Sequence, residues 1–497
     1  MSGDQERSLK KNNREKENAI VNQVEQPAHV PPIARFLERV IYFSLLTTIV
    51  LTAIPYGTVQ PWWISIFECL VFGIAILSVI EVIISKRWSM NLLMVAPLLA
   101  LILFAAIQSL PMFAGPGPMN PRTALSADPY STLLFAIQLT ALTLVFLLLR
   151  RYTSSKARLR GLIYVIIGVG LASALFGIVR QSLQHTPGFF LPALPVGGRG
   201  FGQFINRNHF ALLLEMSLGL TLGLIVGEVG RHRRILILLP IAVLLWVALI
   251  YSNSRGGILA SLCQLLFLGV LLDPVRHLTD HRGEVETSWK RFRNLAGGLA
   301  VRIFLMGCLI GLVAYGVGWV GGEPVVSNFQ NAASDFSQQE MENNTNSSRK
   351  EIWSATWQMI KANPLAGLGF GGYWVGITRY HHASGEITPQ QAHNDYLELI
   401  ASGGLIACLL GIWFGASIVK KARERLRSPD PYYRAACLGA LAGMFGVAVH
   451  SFVDFGLHIT INALLLFGLF VIAVQNDQLA YDRAGGGRGM TAASPDE

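Results

Sequence analysis

Charge is scarce in this chain. Only 14% of its 497 residues are Asp, Glu, Lys or Arg, against 52% hydrophobic, and the mean hydropathy is +0.45. A soluble globular chain carries roughly a quarter charged residues, and a disordered one is poor in large apolar side chains. Both classes are excluded. Cysteine is also rare: Cys69, Cys263, Cys308, Cys408 and Cys437 have no paired spacing and all fall in apolar runs. That excludes a zinc module or a disulfide framework and leaves small packing residues. There is no HExxH, CxxC, Walker or GxSxG element and no paired-aspartate motif for a divalent ion. Neither a metal nor another cofactor is expected. The polar residues 1–36 show no cleavable signal pattern and are expected to form a cytosolic tail, as is the glycine-rich 477–497.

What the chain has in quantity is long apolar runs. Twelve are found, near 40–55, 62–84, 92–110, 131–149, 161–179, 210–228, 235–251, 256–272, 295–320, 395–418, 435–453 and 459–476. Most are long enough to cross a hydrocarbon core of roughly 30 Å as helices, and their continuity excludes barrel strands. The expected fold is an all-α polytopic membrane protein of about 12 transmembrane helices. Nine would occupy 37–320 and three 393–476, with one large extracytoplasmic loop over 321–392 between them.

The net charge of +10 is unevenly placed. With the N-terminus in the cytoplasm, the five inward loops hold 21 Lys and Arg and the outward segments 9. This asymmetry predicts both termini inside. The basic excess then sets topology, and no nucleic-acid partner is needed to explain it. Outward basic residues are disfavoured by topology and need another reason. They are Arg122, Arg180, Arg199, Arg207, Arg255, Arg349, Lys350, Lys361 and Arg379. An anionic, membrane-associated ligand on the outer face supplies one.

Several outward stretches carry candidate chemistry. In Tyr251-Ser-Asn-Ser-Arg-Gly-Gly257 a short turn holds Arg255 and Ser254 at the bilayer surface, where helix-start amides and a forked cation suit phosphate. The plain alternative is an arginine snorkelling to headgroups. Around Arg349, the spacing of Ile352, Ala355 and Met359 predicts an amphipathic helix suited to the interface. At 391–405, written QAHNDYLELIASGGL, His393 is able to take a proton near neutral pH. Read as helix, His393 shares a face with Tyr396, and Asn394 aligns with Glu398. Asn394 or Asp395 can equally serve as an N-cap. The stretch GRGFGQFINRNHF, with Arg199, Arg207, Asn208 and His209, and HSFVDFGLH, ending at His458, can line a sugar cavity or glue helices together.

These phrases in their order resemble the O-antigen ligase/polymerase superfamily: SNSRGG at 252–257, Arg349-x-x-x-Trp353 followed by NPLAGLGFGGY, and AHNDYLELIASGGLI at 392–406. The segments GRGFGQFINRNHFALLLEM and HSFVDFGLHITINAL are similar to it too, so the likeness covers roughly 190–470. Ala407 stands where another glycine fits the pattern, and the long N-terminal tail is not a hallmark of the group.

The resemblance implies a metal-independent membrane glycosyltransferase of the GT-C type. Its donor would be an undecaprenyl-diphosphate-linked glycan and its acceptor a lipid A-core sugar, at the periplasmic face of the bacterial inner membrane. It also implies Arg255 and Arg349 on the diphosphate and His393 as the essential histidine. A polymerase of O-antigen or exopolysaccharide, with a second lipid-linked glycan as acceptor, is the nearest alternative. A small-solute or anion transporter is the alternative of another class. Transporters, however, place their polar residues near mid-membrane, and here the rich motifs lie at the outward ends.

Overall fold

A computed structural model describes residues 31–87, 92–112, 124–182, 201–227, 232–279, 307, 311, 349–381 and 389–475. Helices dominate these residues, with a single isolated bridge between Phe201 and Phe204 outside them. The helices longer than one turn are α1 (Pro32–Ala53), α2 (Pro61–Ser85), α3 (Ala96–Ser109), α4 (Pro129–Tyr152), α5 (Lys156–Ser182), α6 (Arg207–Gly227), α7 (His232–Tyr251), α8 (Arg255–Thr279), α9 (Arg349–Ala362), α10 (Asp395–Leu426), α11 (Pro431–His450) and α12 (Thr460–Val474). Proline in the first turn starts α1, α2, α3, α4 and α11, where its fixed φ suits a helix and its missing N–H costs nothing. Asp128 and Asp430 cap α4 and α11 by accepting from Ser131 N and Tyr432 N.

Eight of these helices are long and apolar enough to cross a membrane, and α3, α12 and the apolar part of α8 are shorter. The chain is therefore a multi-pass helical membrane protein. The expected twelve spans are not all reached among the described residues: 92–110 shortens to the fourteen residues of α3, and 295–320 lies almost wholly outside them. About half of the expected loop 321–392, residues 1–30 of the N-terminal tail and the whole C-terminal tail 477–497 lie outside them as well.

Two packing features position the site. The first is a glycine seam between α6 and α11. A Cβ on Gly223 would sit 2.1 Å from Gly439 Cα, and one on Gly219 would sit 2.4 Å from Gly443 N. Small residues at this spacing let two backbones touch. Because α6 and α11 run antiparallel, the start of α6 and the end of α11 meet at one end of the bundle. Lys156–Asp430, Arg158–Glu38 (3.4 Å) and Arg151–Glu81 (2.8 Å) tie helix ends at the other. Arg425 and Arg434, at the end of α10 and the start of α11, share that end.

The second feature is a break in α10 at Gly404, whose φ of 62° and ψ of −160° are non-helical. The segment 363–372 stitches the break shut. Leu405 N donates to Pro364 O and Ile406 N to Leu365 O, while Leu368 N and Gly369 N donate to the carbonyls of Ala401 and Ser402. Gln108 Nε2 donates to Ala366 O at 2.6 Å. Backbone interrupted at membrane depth has to find such partners within the protein. The single span expected at 395–418 is thus two helices. Residues 405–426 cover about 33 Å at 1.5 Å per residue, enough to cross alone. Residues 395–403 form a separate half-helix.

The amphipathic stretch is helical, as its spacing predicts, but its apolar side does not face lipid. Ile352, Ala355 and Met359 pack against Leu368, Tyr373, Ile377 and Ala401. The 363–377 segment and the half-helix cover that stripe. Trp357 stays exposed and Trp353 donates to Ala392 O at 2.9 Å.

Candidate functional site

Asn206 starts α6 by accepting from Asn208 N at 2.9 Å, so Arg207, Asn208 and His209 project from its first turn. Asp395 N donates to Ser451 O, which brings the start of α10 to the end of α11 and so to the same end of the bundle. Between α11 and α12 a short turn presents Asp454, Phe455 and His458.

Asp454 is the centre of this group. Its side chain is 1% exposed and lies between two imidazoles, with His393 Nδ1 3.7 Å from Oδ1 and His209 Nε2 3.6 Å from Oδ2. Phe455 meets both rings edge-on, at 4.8 Å from His393 and 4.9 Å from His209. Burial acts to raise the Asp454 pKa, but the imidazoles of His393, His209 and His450 outweigh it and hold the carboxyl below the usual range. Neither Asp454 oxygen, nor His393 Nδ1, nor His209 Nε2 has a hydrogen-bond partner among the described residues. Buried polar atoms in that condition mark a place built for water or a ligand.

Arg255 opens α8, where Ser254 is the N-cap: its Oγ accepts from Gly257 N at 3.1 Å and donates to Asn208 Oδ1 at 2.8 Å. That bond locks the Arg255 turn to the start of α6. The two glycines follow because the turn sits on a buried pair, His450 Nδ1 with Glu215 Oε1 at 2.7 Å. A Cβ on Gly256 would lie 3.0 Å from His450 Nε2, and one on Gly257 would lie 3.2 Å from Glu215 Oε1.

Arg349, in the first turn of α9, joins the same cluster. Burial lowers its pKa, and the like charges of Arg207 and Arg255 lower it further, while Asp454 opposes them. Three guanidinium groups from three elements therefore share one field with the Asp454 carboxylate. Such a gathering of like charge is favourable where an anion enters.

Several expectations change here. His393 is not on a helix face with Tyr396. It precedes the N-cap with φ of 50°, a left-handed conformation that costs a non-glycine residue energy and turns the ring out of the helix. Asn394 is the N-cap of α10, accepting from Tyr396 N and Leu397 N and donating to Phe452 O, so its side chain positions the helix. Tyr396 donates to Ala448 O at 2.8 Å and packs on Phe452. His458 is drawn to Glu398, 3.1 Å away, whose other oxygen accepts from Ala392 N. Arg199 lies outside the described residues. Asp454, Phe455 and the Glu215–His450 pair belong to the neighbourhood although none of them was named among the candidate site residues. Asp454 stands inside the HSFVDFGLH phrase, beside more conspicuous histidines.

Partial enclosure of His458 opposes its charge, but Glu398, Asp395 and Asp454 raise its pKa from the ordinary 6.5 to about 9. A raised histidine pKa gives stability that is complete below pH 6.5 and is lost as pH rises through about 9. Thermal unfolding of the wild-type protein should thus weaken between about pH 6 and about pH 9.5 more than that of Glu398→Gln. Parallel curves for the two proteins would mean that the pair holds nothing.

Residues 240–412 match the family model described as O-antigen ligase. Over that stretch the chain is similar to the O-antigen ligase family. No curated protein matches it. The O-antigen ligase segment contains Arg255, Arg349, His393 and the stitched break in α10, whereas Arg207–His209 and Asp454 lie outside it. It supports a function of the ligase or polymerase type, carried out by a membrane glycosyltransferase-like enzyme on lipid-linked glycans.

Proposed function

We propose that this protein moves a glycan from an undecaprenyl-diphosphate-linked donor to an acceptor hydroxyl at the periplasmic face of the bacterial inner membrane, as an O-antigen ligase acting on a lipid A-core sugar. The observation that carries this reading is the shared field of Arg207, Arg255 and Arg349 beside the His393–Asp454 pair. A diphosphate leaves readily once its charge is compensated, and preorganised guanidinium groups supply that compensation where charge grows in the transition state. Arg255 and Arg349 hold the diphosphate. His393 takes the proton of the acceptor hydroxyl as its oxygen attacks the anomeric carbon, and the bond from that carbon to the diphosphate oxygen breaks with its electron pair on the diphosphate. Direct displacement inverts the anomeric centre. Asp454 stabilises the imidazolium that forms, as a buried carboxylate beside a catalytic histidine does.

The test is to give purified protein a lipid-linked glycan together with a lipid A-core acceptor or a second lipid-linked glycan. Core-linked product supports the ligase reading, and a lengthened lipid-linked chain would replace it with the polymerase one. Transfer should persist in excess EDTA, because the arginines and not a divalent ion compensate the diphosphate. Activity lost to the chelator and restored by magnesium would show that a cation shares that work. Orientation is tested separately. A cysteine at Lys350 should react with an impermeant thiol reagent in outer-permeabilised cells, and one at Arg427 should not. The reverse pattern would remove the periplasmic assignment.

A further inference from the structure

Beneath the Arg255 turn lie two buried side chains that the proposed chemistry does not use. Glu215 comes from α6 and His450 is the last residue of α11, with His450 Nδ1 2.7 Å from Glu215 Oε1. Glu215 Oε2 and His450 Nε2 have no hydrogen-bond partner among the described residues, so the strong bond of each side chain is to the other. Gln264 of α8 joins them by donating to Glu215 O at 3.0 Å. Its amide also lies against α11, where a Cβ on Gly446 would come within 2.2 Å of it. Three helices thus close on this pair, and each leads to a part of the site. α6 begins with Arg207 and His209, α8 begins with Arg255, and α11 runs into the turn that presents Asp454.

His450 touches both halves of the site at once. Its ring lies under the Arg255 turn, where a Cβ on Gly256 would meet Val453 Cγ2 at 2.9 Å as well as the ring. Glycine lets the backbone approach that closely. The His450 carbonyl accepts from Val453 N at 2.9 Å, the bond that turns the chain toward Asp454. Glu215 holds the ring by its bond to Nδ1 and itself lies below Gly257. An apolar pair of similar volume would hold the three helices about as well, because desolvation offsets most of what a buried polar pair gains. It would not hold a ring at one angle. The hydrogen-bonded pair therefore serves geometry rather than stability.

We infer that Glu215 and His450 are positioning residues that set the spacing between the Arg255 turn and the Asp454 turn. This rests on the transfer proposed above, in which Arg255 holds the leaving diphosphate and His393, beside Asp454, takes the acceptor's proton. Neither Glu215 nor His450 touches substrate. Together they fix how far the leaving group stands from the base, and a misplacement of about 1 Å can cost roughly 10²-fold in rate.

Glu215→Met combined with His450→Leu removes both partners and leaves apolar side chains of similar size, so no buried polar group is stranded. The double variant is expected to unfold near the wild-type temperature and to keep its KM for the lipid-linked donor, yet to lose roughly 10–10²-fold in kcat. Glu215→Gln, which can still bond His450 Nδ1, should recover most of that loss. A pair that served packing alone would behave otherwise, with transfer following stability and the stable double variant active. Hydrogen exchange gives a reading that needs no transfer. Amides of 252–258 and 451–455 should exchange faster in the double variant than in wild type or Glu215→Gln, with α12 unchanged. Normal kcat in the double variant, or unchanged exchange at both turns, would overturn the assignment. So would a double variant much less stable than wild type, because the pair would then be holding the fold. Faster exchange at both turns, in a protein whose wild-type form transfers no glycan to any acceptor, would keep the spacing role and defeat the transferase reading instead.

Discussion

His393→Ala is expected to lower glycan transfer by about 10²–10⁴-fold while donor binding stays near its original strength. On the proposed mechanism the acceptor's proton then has no base, while the arginine cluster proposed to grip the donor is untouched. Arg255→Lys and Arg349→Lys should fail differently. Lysine keeps the charge and loses the planar fork, so donor affinity and turnover should fall together. Arg255 is the sharper case, because the Ser254–Asn208 bond and the two glycines fix where its stem leaves the turn. Asp454→Asn should resemble a weakened His393→Ala, with binding kept and transfer reduced, since it removes the charge that favours imidazolium. Single-turnover rates and donor binding measured on the same membrane preparations separate these outcomes. Near-normal transfer in His393→Ala, alongside an active Arg255→Lys, would reduce these residues to interface anchors.

The helices were largely legible because an apolar run of this length has few alternatives in a membrane. Boundaries such as 61–85 for an expected 62–84, or 232–251 for 235–251, follow from where polarity returns. Hydropathy failed at α10, where the run is continuous but the helix is not. Gly403 and Gly404 read as small residues, and nothing local in them announces that a segment thirty to forty residues earlier closes the gap. The site was legible to the extent that a residue's type betrayed it. Arginines on the side expected to face outward conflict with the charge rule, so Arg207, Arg255 and Arg349 stood out before their convergence was visible. Asp454 did not, because one aspartate in a turn is ordinary until two imidazoles are found on either side of it. Asn394 and Tyr396 carried the opposite risk. Their chemistry suits a sugar, and the fold uses it to cap and pin a half-helix.

The broken helix explains why His393 sits where it does. Were α10 continuous from Asp395 to Leu426, its first turns would be set by the angle of the membrane span. The break at Gly404 frees the half-helix 395–403 to be set by other contacts, namely Asn394 to Phe452, Asp395 to Ser451 and Glu398 to Ala392 and His458. Three of these, to Phe452, Ser451 and His458, reach the same short turn that carries Asp454. His393 and Asp454 are thus positioned by one set of bonds.

Gly404→Ala should consequently damage both stability and transfer. The φ of 62° with ψ of −160° is a region open in practice only to glycine, and forcing another residue there costs on the order of 1–3 kcal/mol. A Cβ would also lie 2.3 Å from Leu365 O, a backbone atom that is itself held by Ile406 N and has little room to yield. Relief requires α10 to straighten or the 363–372 segment to lift away, and either motion strands the carbonyls of Ala401 and Ser402. Gly415→Ala is the matched control: a Cβ there meets nothing, and alanine improves a helix interior by up to about 1 kcal/mol over glycine. Thermal unfolding in detergent, followed by size-exclusion chromatography, should show Gly404→Ala clearly less stable than wild type and Gly415→Ala equal or better. Transfer per folded molecule should drop in Gly404→Ala as well, because His393 and Asp454 lose register when the half-helix moves. If Gly404→Ala unfolds with the wild-type midpoint and transfers normally, α10 is continuous in the working protein, and the position of His393 needs another explanation.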